Sequence, residues 1–296
     1  MFMKKVGFME YAILYNPHSC GENGFKIAKE IESLMEGSFT YYDLTTIDSL
    51  DEFIVGLPKD TAVILTGGDG SLNSFVNSID TNTSKNIYFY ASGSGNDFAR
   101  DIGFKKRTKP IIINDYIKNL PTAKINGKTY KFLNCVGSGM DGYCCGEVER
   151  LRSLSKKRGN YLYAAIKALL FAYKPCTAYV TVDGKDYVFE NTWLVPTMNG
   201  RFFGGGFMAA PRQDRQNPQG TISLVAMYSK NFFKIITAFL LIMKGKHTIM
   251  KSMIKVIEGH EISVKLSRSA TLQIDGETIP NVTEYTVSSA KSKIKV

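Results

Sequence analysis

Residues 61–76, TAVILTGGDGSLNSFV, constrain the fold of this chain more than any other stretch. Residues 61–66 are a short apolar run rich in β-branched side chains, the pattern of a buried strand. Gly67, Gly68, Asp69 and Gly70 break the run. Leu72, Phe75, Val76 and Ile79 then recur at helical spacing, so a helix starts near Ser71. A strand, a glycine turn and a helix N-terminus together make an anion site. Without Cβ atoms the backbone approaches a phosphate closely, and the N–H groups and helix dipole point at it. Asp69 repels a bare phosphate, which suits it to hold a water or a Mg²⁺ beside one. Alone, such a turn is equally an ordinary strand-to-helix connection.

A second stretch repeats the device. Residues 87–91 form another buried-strand pattern and run into Ser92-Gly93-Ser94-Gly95-Asn96-Asp97-Phe98-Ala99-Arg100. Consecutive strands of such a sheet lie near each other, so both turns are expected to open onto one edge, as in a nucleotide site. Residues 11–15 read as the first strand and end in Asn16-Pro17-His18-Ser19-Cys20-Gly21. Ile27, Ala28, Ile31, Leu34 and Met35 then form one helical stripe. A weaker strand at 39–44, helices at 50–57 and 110–120, and the two glycine turns complete an alternation of strand and helix. That alternation predicts a parallel sheet with helices on both faces over residues 1–121.

The texture changes near Pro121. Short strand runs follow, punctuated by hairpin signals at Asn126-Gly127, Asp183-Gly184 and Asp275-Gly276. Residues 122–288 therefore read as a mainly-β domain, a sandwich by preference. A helical insert interrupts it at 160–172, where Tyr161, Ala164, Ala165, Ala168 and Leu169 share a face behind Lys156-Lys157-Arg158. Phe232, Ile235, Ile236, Phe239, Leu240 and Met243 make a further stripe, followed by Lys244, Lys246, His247, Lys251 and Lys255. An apolar helix with a basic tail suits anionic lipid, and equally suits a helix capping the β-domain. The tail at about 289–296 is expected to fray or to return to the first domain.

Charge and composition narrow the partners. Thirty-seven Lys and Arg against 27 Asp and Glu give a net charge of +10, which favours an anionic partner. The basic-aromatic interleaving of nucleic-acid recognition modules is missing, so no nucleic acid is expected. Five Cys in an odd count, two of them adjacent at Cys144-Cys145, read as reduced thiols of a cytosolic protein. The three His lie far apart, which disfavours a His-based metal site or a Ser-His triad. The longest apolar stretches, 162–173 and 232–243, each contain a Lys and fall short of the ~20 residues a spanning helix needs. The chain is expected in the cytoplasm, with any membrane contact peripheral.

GGDGS, GSGNDFAR and the late Ile274-Asp275-Gly276-Glu277, in that order, resemble the diacylglycerol kinase catalytic-domain family. That family also includes sphingosine kinases and bacterial soluble lipid kinases. Its usual pattern is GGDGT and GTGNDFAR, so Ser71 and Ser94 stand where Thr is commoner, with the hydroxyl kept. The 16–21 loop resembles the family's NPxSG segment, with Cys20 in place of Gly. Asn199-Gly200-Arg201-Phe202-Phe203-Gly204-Gly205-Gly206-Phe207 resembles its glycine-rich segment.

The resemblance implies an NAD-kinase-like first domain that binds ATP with Mg²⁺. Asn16, Pro17, Ser19, Thr46 and Asn73 would line the nucleotide. Gly67, Gly68, Gly70, Ser71, Gly93 and Ser94 would hold its phosphates, with Asn96 and Asp97 fixing the turns and Arg100 offsetting charge. Asp69 would hold Mg²⁺, directly or through water. Glu277 would be the general base toward a lipid hydroxyl, with Asp275 orienting it or the metal. The acceptor implied is a diacylglycerol-like lipid at the membrane surface, and a homodimer is compatible. Two departures stand out. Gln219-Gly220 replaces an Asp-Gly that supports a structural Mg²⁺ in bacterial members. A neutral amide is the poorer ligand, which argues against that metal in the 212–220 loop. Pro121 stands where relatives tend to carry an Asp. The alternatives are an NAD kinase, which shares GGDG, and a catalytically weak nucleotide- or lipid-binding regulator.

Overall fold

The computed structural model describes residues 9–155 and 173–290. The expected insert at 160–172, its preceding basic run and the end of the tail lie outside them. The chain divides into two units between Asn119 and Leu120.

The first unit is a five-stranded sheet in the order β2-β1-β3-β4-β5. β1 (Glu10–Tyr15), β2 (Ser38–Asp43), β3 (Ala62–Gly67) and β4 (Ile87–Ala91) run parallel. β1, β3 and β4 alternate side chains between two covered faces, which is why they read as apolar runs, while β2 has no fully buried residue. On one face Tyr11, Ile13, Ala62, Ile64 and Tyr90 pack with Ile27, Ala28 and Ile31. Ala12 and Leu14 of β1 and Val63 and Leu65 of β3 are also buried. Leu72, Phe75 and Val76 of α4 (Asp69–Ser78) and Ile54 of α3 (Leu50–Gly56) are buried as well, and both helices pack together. Ser49 caps α3 by accepting from the Glu52 N–H, a Ser-x-x-Glu start.

Two expectations need correction here. The helical stripe from Ile27 to Met35 is α-helical only over Gly24–Lys29, and Glu30–Ser33 tightens into a 3₁₀ turn in which the Ser33 hydroxyl donates to the Glu30 carbonyl. Leu34 consequently leaves the stripe and is exposed. Residues 110–120 are not one helix. β5 (Ile111–Ile112) pairs antiparallel with β4, and only Asn114–Ile117 is helical. The Ile113 N–H donates to the Ile87 carbonyl and Asn114 Oδ1 accepts from the Ile87 N–H. Pairing the exposed edge of β4 outweighs helix propensity there.

The second unit is one continuously hydrogen-bonded sheet that turns back on itself. β16 (Glu261–Ile274) pairs with β9 (Cys176–Val182) through its first half and with β8 (Cys135–Ser138) through its second. Register shifts between Lys265, Ala270 and Leu272, where β16 meets β17 (Glu277–Ser288), accompany the bend. β10 (Lys185–Leu194), β11 (Thr197–Met198) and β14 (Ile222–Tyr228) complete the circuit, with a core that includes Val136, Val180, Leu224, Val264 and Leu272. The three Asx-Gly pairs all form tight turns with positive φ at both residues, as the right-handed strand twist requires. Phe202–Phe203 and Phe207–Met208 pair as a small hairpin around Gly204, Gly205 and Gly206. Among the described residues no helix is long and apolar enough to cross a membrane.

Candidate functional site

In a parallel sheet the strands end on one edge, and loops leaving that edge define a shared surface. The register Tyr15↔Asp43 and Gly67↔Ala91 brings the ends of β1, β2, β3 and β4 to that edge. Asn16, Pro17 and Ser19 follow β1, Thr46 follows β2, Gly68–Ser71 follow β3, and 92–100 follow β4. The sequence-predicted nucleotide residues of the first unit therefore converge on one edge of one sheet.

The two glycine turns touch. A Cβ on Gly68 would stand 3.0 Å from the Gly93 Cα, and one on Gly93 would stand 2.9 Å from Asn96 Oδ1. Ser92 N–H donates to the Gly67 carbonyl at 2.7 Å, which closes the pair. Asp69 then bridges them. Its Oδ2 accepts from the Asp97 N–H and its Oδ1 from the Phe98 N–H, both at 3.0 Å. These amides open the helix Asp97–Asp101, so a carboxylate sits where orphan donors and the helix dipole favour it. Asp97 in turn accepts from Arg100 at 2.5 Å, and Asn96 adopts a left-handed conformation with its Nδ2 donating to the Gly93 carbonyl.

Gly70 differs from its neighbours. It lies in the first turn of α4 at negative φ, and a Cβ built on it meets nothing within 4 Å. Neither packing nor backbone strain explains glycine there. Leu72 N–H closes the first turn onto the Gly68 carbonyl, so the amides ahead of it lie at the helix start that attracts anions. Asn96 Oδ1 is buried without a hydrogen-bond donor among the described residues. With the Asp69 carboxylate it offers oxygen ligands of the kind Mg²⁺ takes, so these residues fit ATP and Mg²⁺ in chemical kind.

Other predicted residues are held within the loops. Asn16 Oδ1 accepts from the His18 N–H, and its carbonyl accepts from the Ser19 N–H. Thr46 donates its hydroxyl to the Asp43 carbonyl, whereas Thr45 caps the Asp43 carboxylate. Asn73 is buried on α4 and accepts from Asn77. Ser94 is exposed.

In the second unit Asp275 is buried, and its carboxylate accepts three backbone N–H groups. Leu133 donates at 2.6 Å, Asn134 at 2.8 Å and Cys135 at 2.9 Å. Glu277, two residues on, is exposed at the start of β17 opposite Ile274. The same 133–135 segment receives two residues that sequence reasoning missed. Arg215 donates to the Leu133 carbonyl and to Asn134 Oδ1, and Asn199 Nδ2 donates to the Leu133 carbonyl. The 212–220 loop is closed by amides: Gln213 spans from Ser223 to the Thr221 carbonyl, and Asn217 holds the Thr221 N–H.

A further buried acid escaped the sequence reading. Asp141 opens α7 (Met140–Ser155) and is 2% exposed. Its Oδ2 accepts from Gln273 at 3.3 Å, and its Oδ1 has no partner among the described residues. Burial pushes its carboxyl up to about 6, against the stabilising hydrogen bond from Gln273. A Gly-Met-Asp step after a strand gave no signal of this, because burial of an acid leaves no periodic trace.

Comparison with known proteins follows the same division. Residues 10–124 match the diacylglycerol kinase catalytic domain, and residues 134–291 match the YegS C-terminal NAD kinase beta sandwich-like domain. YtlR of Bacillus subtilis is 22% identical over 96% of this chain and 97% of its own. The diacylglycerol kinase of Bacillus subtilis is 24% identical over 90% of this chain and 88% of its own. A diacylglycerol kinase structure from Bacillus anthracis superposes with a TM-score of 0.58 at 18% identity, covering 97% of this chain and 96% of that one, which shows the shared fold. The chain carries a diacylglycerol kinase catalytic domain followed by a YegS C-terminal domain and belongs to the lipid kinase family that combines them, an ATP-using family.

Proposed function

We propose that this protein transfers the γ-phosphate of ATP to the hydroxyl of a diacylglycerol-like lipid at a membrane surface. The observation that supports it most is the pair of touching glycine turns, tied by Asp69 at one sheet edge, with open space at Gly70. The amides of 67–71 and Ser94 bind the phosphates, and Asn16, Pro17, Ser19, Thr46 and Asn73 line the nucleotide. Arg100, paired with Asp97, offsets phosphate charge from the rim. Asp69 and Asn96 would hold Mg²⁺, which would neutralise charge on the phosphate oxygens.

Glu277 takes the proton of the lipid hydroxyl as that oxygen attacks the γ-phosphorus, and the bond from that phosphorus to the bridging oxygen breaks, so ADP leaves. Asp275 does not take part in proton transfer. Its bonds to three backbone N–H groups fix the turn from which Glu277 departs, so it is a positioning residue.

The test is incubation with ATP labelled at the γ-phosphorus, offering a total lipid extract, pure diacylglycerol and NAD⁺ in parallel. Label in a phosphorylated lipid, and none in NADP⁺, is the expected result. Label in NADP⁺ would favour the NAD kinase reading instead. No labelled product in any arm, with ATP bound, would favour a regulator.

A further inference from the structure

The helix α8 (Phe232–Ile242) is apolar on both its faces, and only one of them is covered. Ile235, Ala238 and Ile242 are fully buried in a core shared with Trp193, Met227 and Ile254. Asn231 caps its start by accepting from the Lys234 N–H, so the helix is firmly set on the sheet. The opposite face carries Phe233 at 78% exposure and Leu240 at 68%, with Met243 at 54% just beyond the last turn. Their spacing of seven and three residues puts them on one line along the helix. Ile249, in the 3₁₀ turn that follows, is 71% exposed. Large apolar side chains this exposed and this close mark an interaction surface rather than scattered surface residues.

The charge around them says what the surface meets. Residues 229–257 contain six lysines and no Asp or Glu. Lys230, Lys234, Lys244, Lys246 and Lys251 are all exposed, and the ion pairs of the described residues involve other groups. One acid, Glu190, lines the same hollow as Lys230 and Lys234. We propose that this α8 face, with its lysine rim, is the surface by which the protein docks on an anionic lipid bilayer. Aromatic and aliphatic groups insert at the headgroup boundary while lysines meet anionic headgroups. A second copy of this chain is the poorer occupant, because a two-fold contact through this patch would set lysines against lysines. The proposal rests on the lipid-kinase reading for its purpose and on the surface itself for its chemistry.

The experiment is sedimentation of the full chain with vesicles, without ATP or diacylglycerol, so that it reads docking apart from catalysis. Phosphatidylcholine vesicles are compared with vesicles that also contain phosphatidylglycerol. Binding is expected only to the anionic vesicles and to weaken with salt. Lys244→Gln and Lys246→Gln are expected to weaken it about fivefold each. Phe233→Ser with Leu240→Ser should weaken it more than ~10-fold, by removing the inserting groups. Lys128→Gln, an exposed lysine on β7 (Lys128–Lys131), controls for net charge and is expected to bind normally. Circular dichroism verifies folding, which these exposed positions should not disturb. Absence of binding, equal binding by the patch variants, or equal loss in Lys128→Gln would each overturn the proposal. So would a dimer in sedimentation equilibrium that Phe233→Ser with Leu240→Ser dissolves, since the patch would then belong to a second copy.

Discussion

Asp69 and Asp275 both lie in glycine-bearing motifs, and both give their carboxylates to backbone N–H groups. Their surroundings differ. Asp69 is half-buried, accepts two amides of a helix start, and sits among turns where a Cβ on Gly70 would meet only open space. Asp275 is buried, accepts three amides of a strand entry, and the same segment is held again by Arg215 and Asn199. The first arrangement leaves space beside an anion-attracting helix start. The second is filled by the protein's own backbone. An acid in a family motif is thus not evidence of chemistry by itself. What surrounds the carboxylate separates a ligand site from a brace.

The largest expected effect lies next to the brace. Glu277→Gln keeps size and removes the basic oxygen, so lipid phosphorylation should fall ~10²–10⁴-fold with ATP affinity near normal. Full turnover, with chemistry shown to be rate-limiting, would return Asp275-Gly276-Glu277 to a plain hairpin. Asp275→Ala should act on stability, since three buried N–H groups lose their acceptor. A loss of about 4 kcal/mol in urea unfolding is expected. A loss below about 1 kcal/mol would contradict the bracing role and blur the contrast with Asp69.

Much of this contrast was legible in the sequence for the first unit and little of it for the second. Strand, glycine turn and helix at 61–76 are all local signals, and the sheet edge follows from strand alternation alone. The Asx-Gly hairpins were legible for the same reason, because turn chemistry is local. Leu133, Asn134 and Cys135 meet Asp275, and Arg215 and Asn199 meet that same segment, across long sequence separations, and such pairings leave no periodic mark. The 110–120 segment misled because its apolar residues suited a helix, while the unpaired edge of β4 claimed two of them as strand. Met35 kept part of its place in the predicted stripe, but the 3₁₀ turn before it moved Leu34 out.

Asp141 offers a smaller effect that tests burial directly. Its folded carboxyl sits near 6, above the ordinary 3.8, so the folded state binds this proton more tightly than the unfolded chain. Its stabilising proton is fully present below about pH 3.8 and lost as pH rises through about 6. The cost above that window is about 3 kcal/mol. Asp141→Asn stays neutral, so it should be more stable than the parent at pH 8 and close to it near pH 4. Parallel stability curves for the two proteins in urea would contradict the burial argument.

The most direct test of the nucleotide edge is Gly70→Ala, read by ATP titration calorimetry beside a thermal melt. Gly68 is the less clean choice, because its Cβ would also press on Gly93. At Gly70 the Cβ enters open space on a helical backbone, and alanine is the better helix former by up to about 1 kcal/mol. If a phosphate lies against that backbone, the two readouts must move in opposite directions. The account predicts a protein as stable as the parent or more so, with ATP bound at least ~10-fold more weakly, since the methyl group takes the phosphate's approach. A variant that is equally stable and binds ATP as the parent does would contradict it.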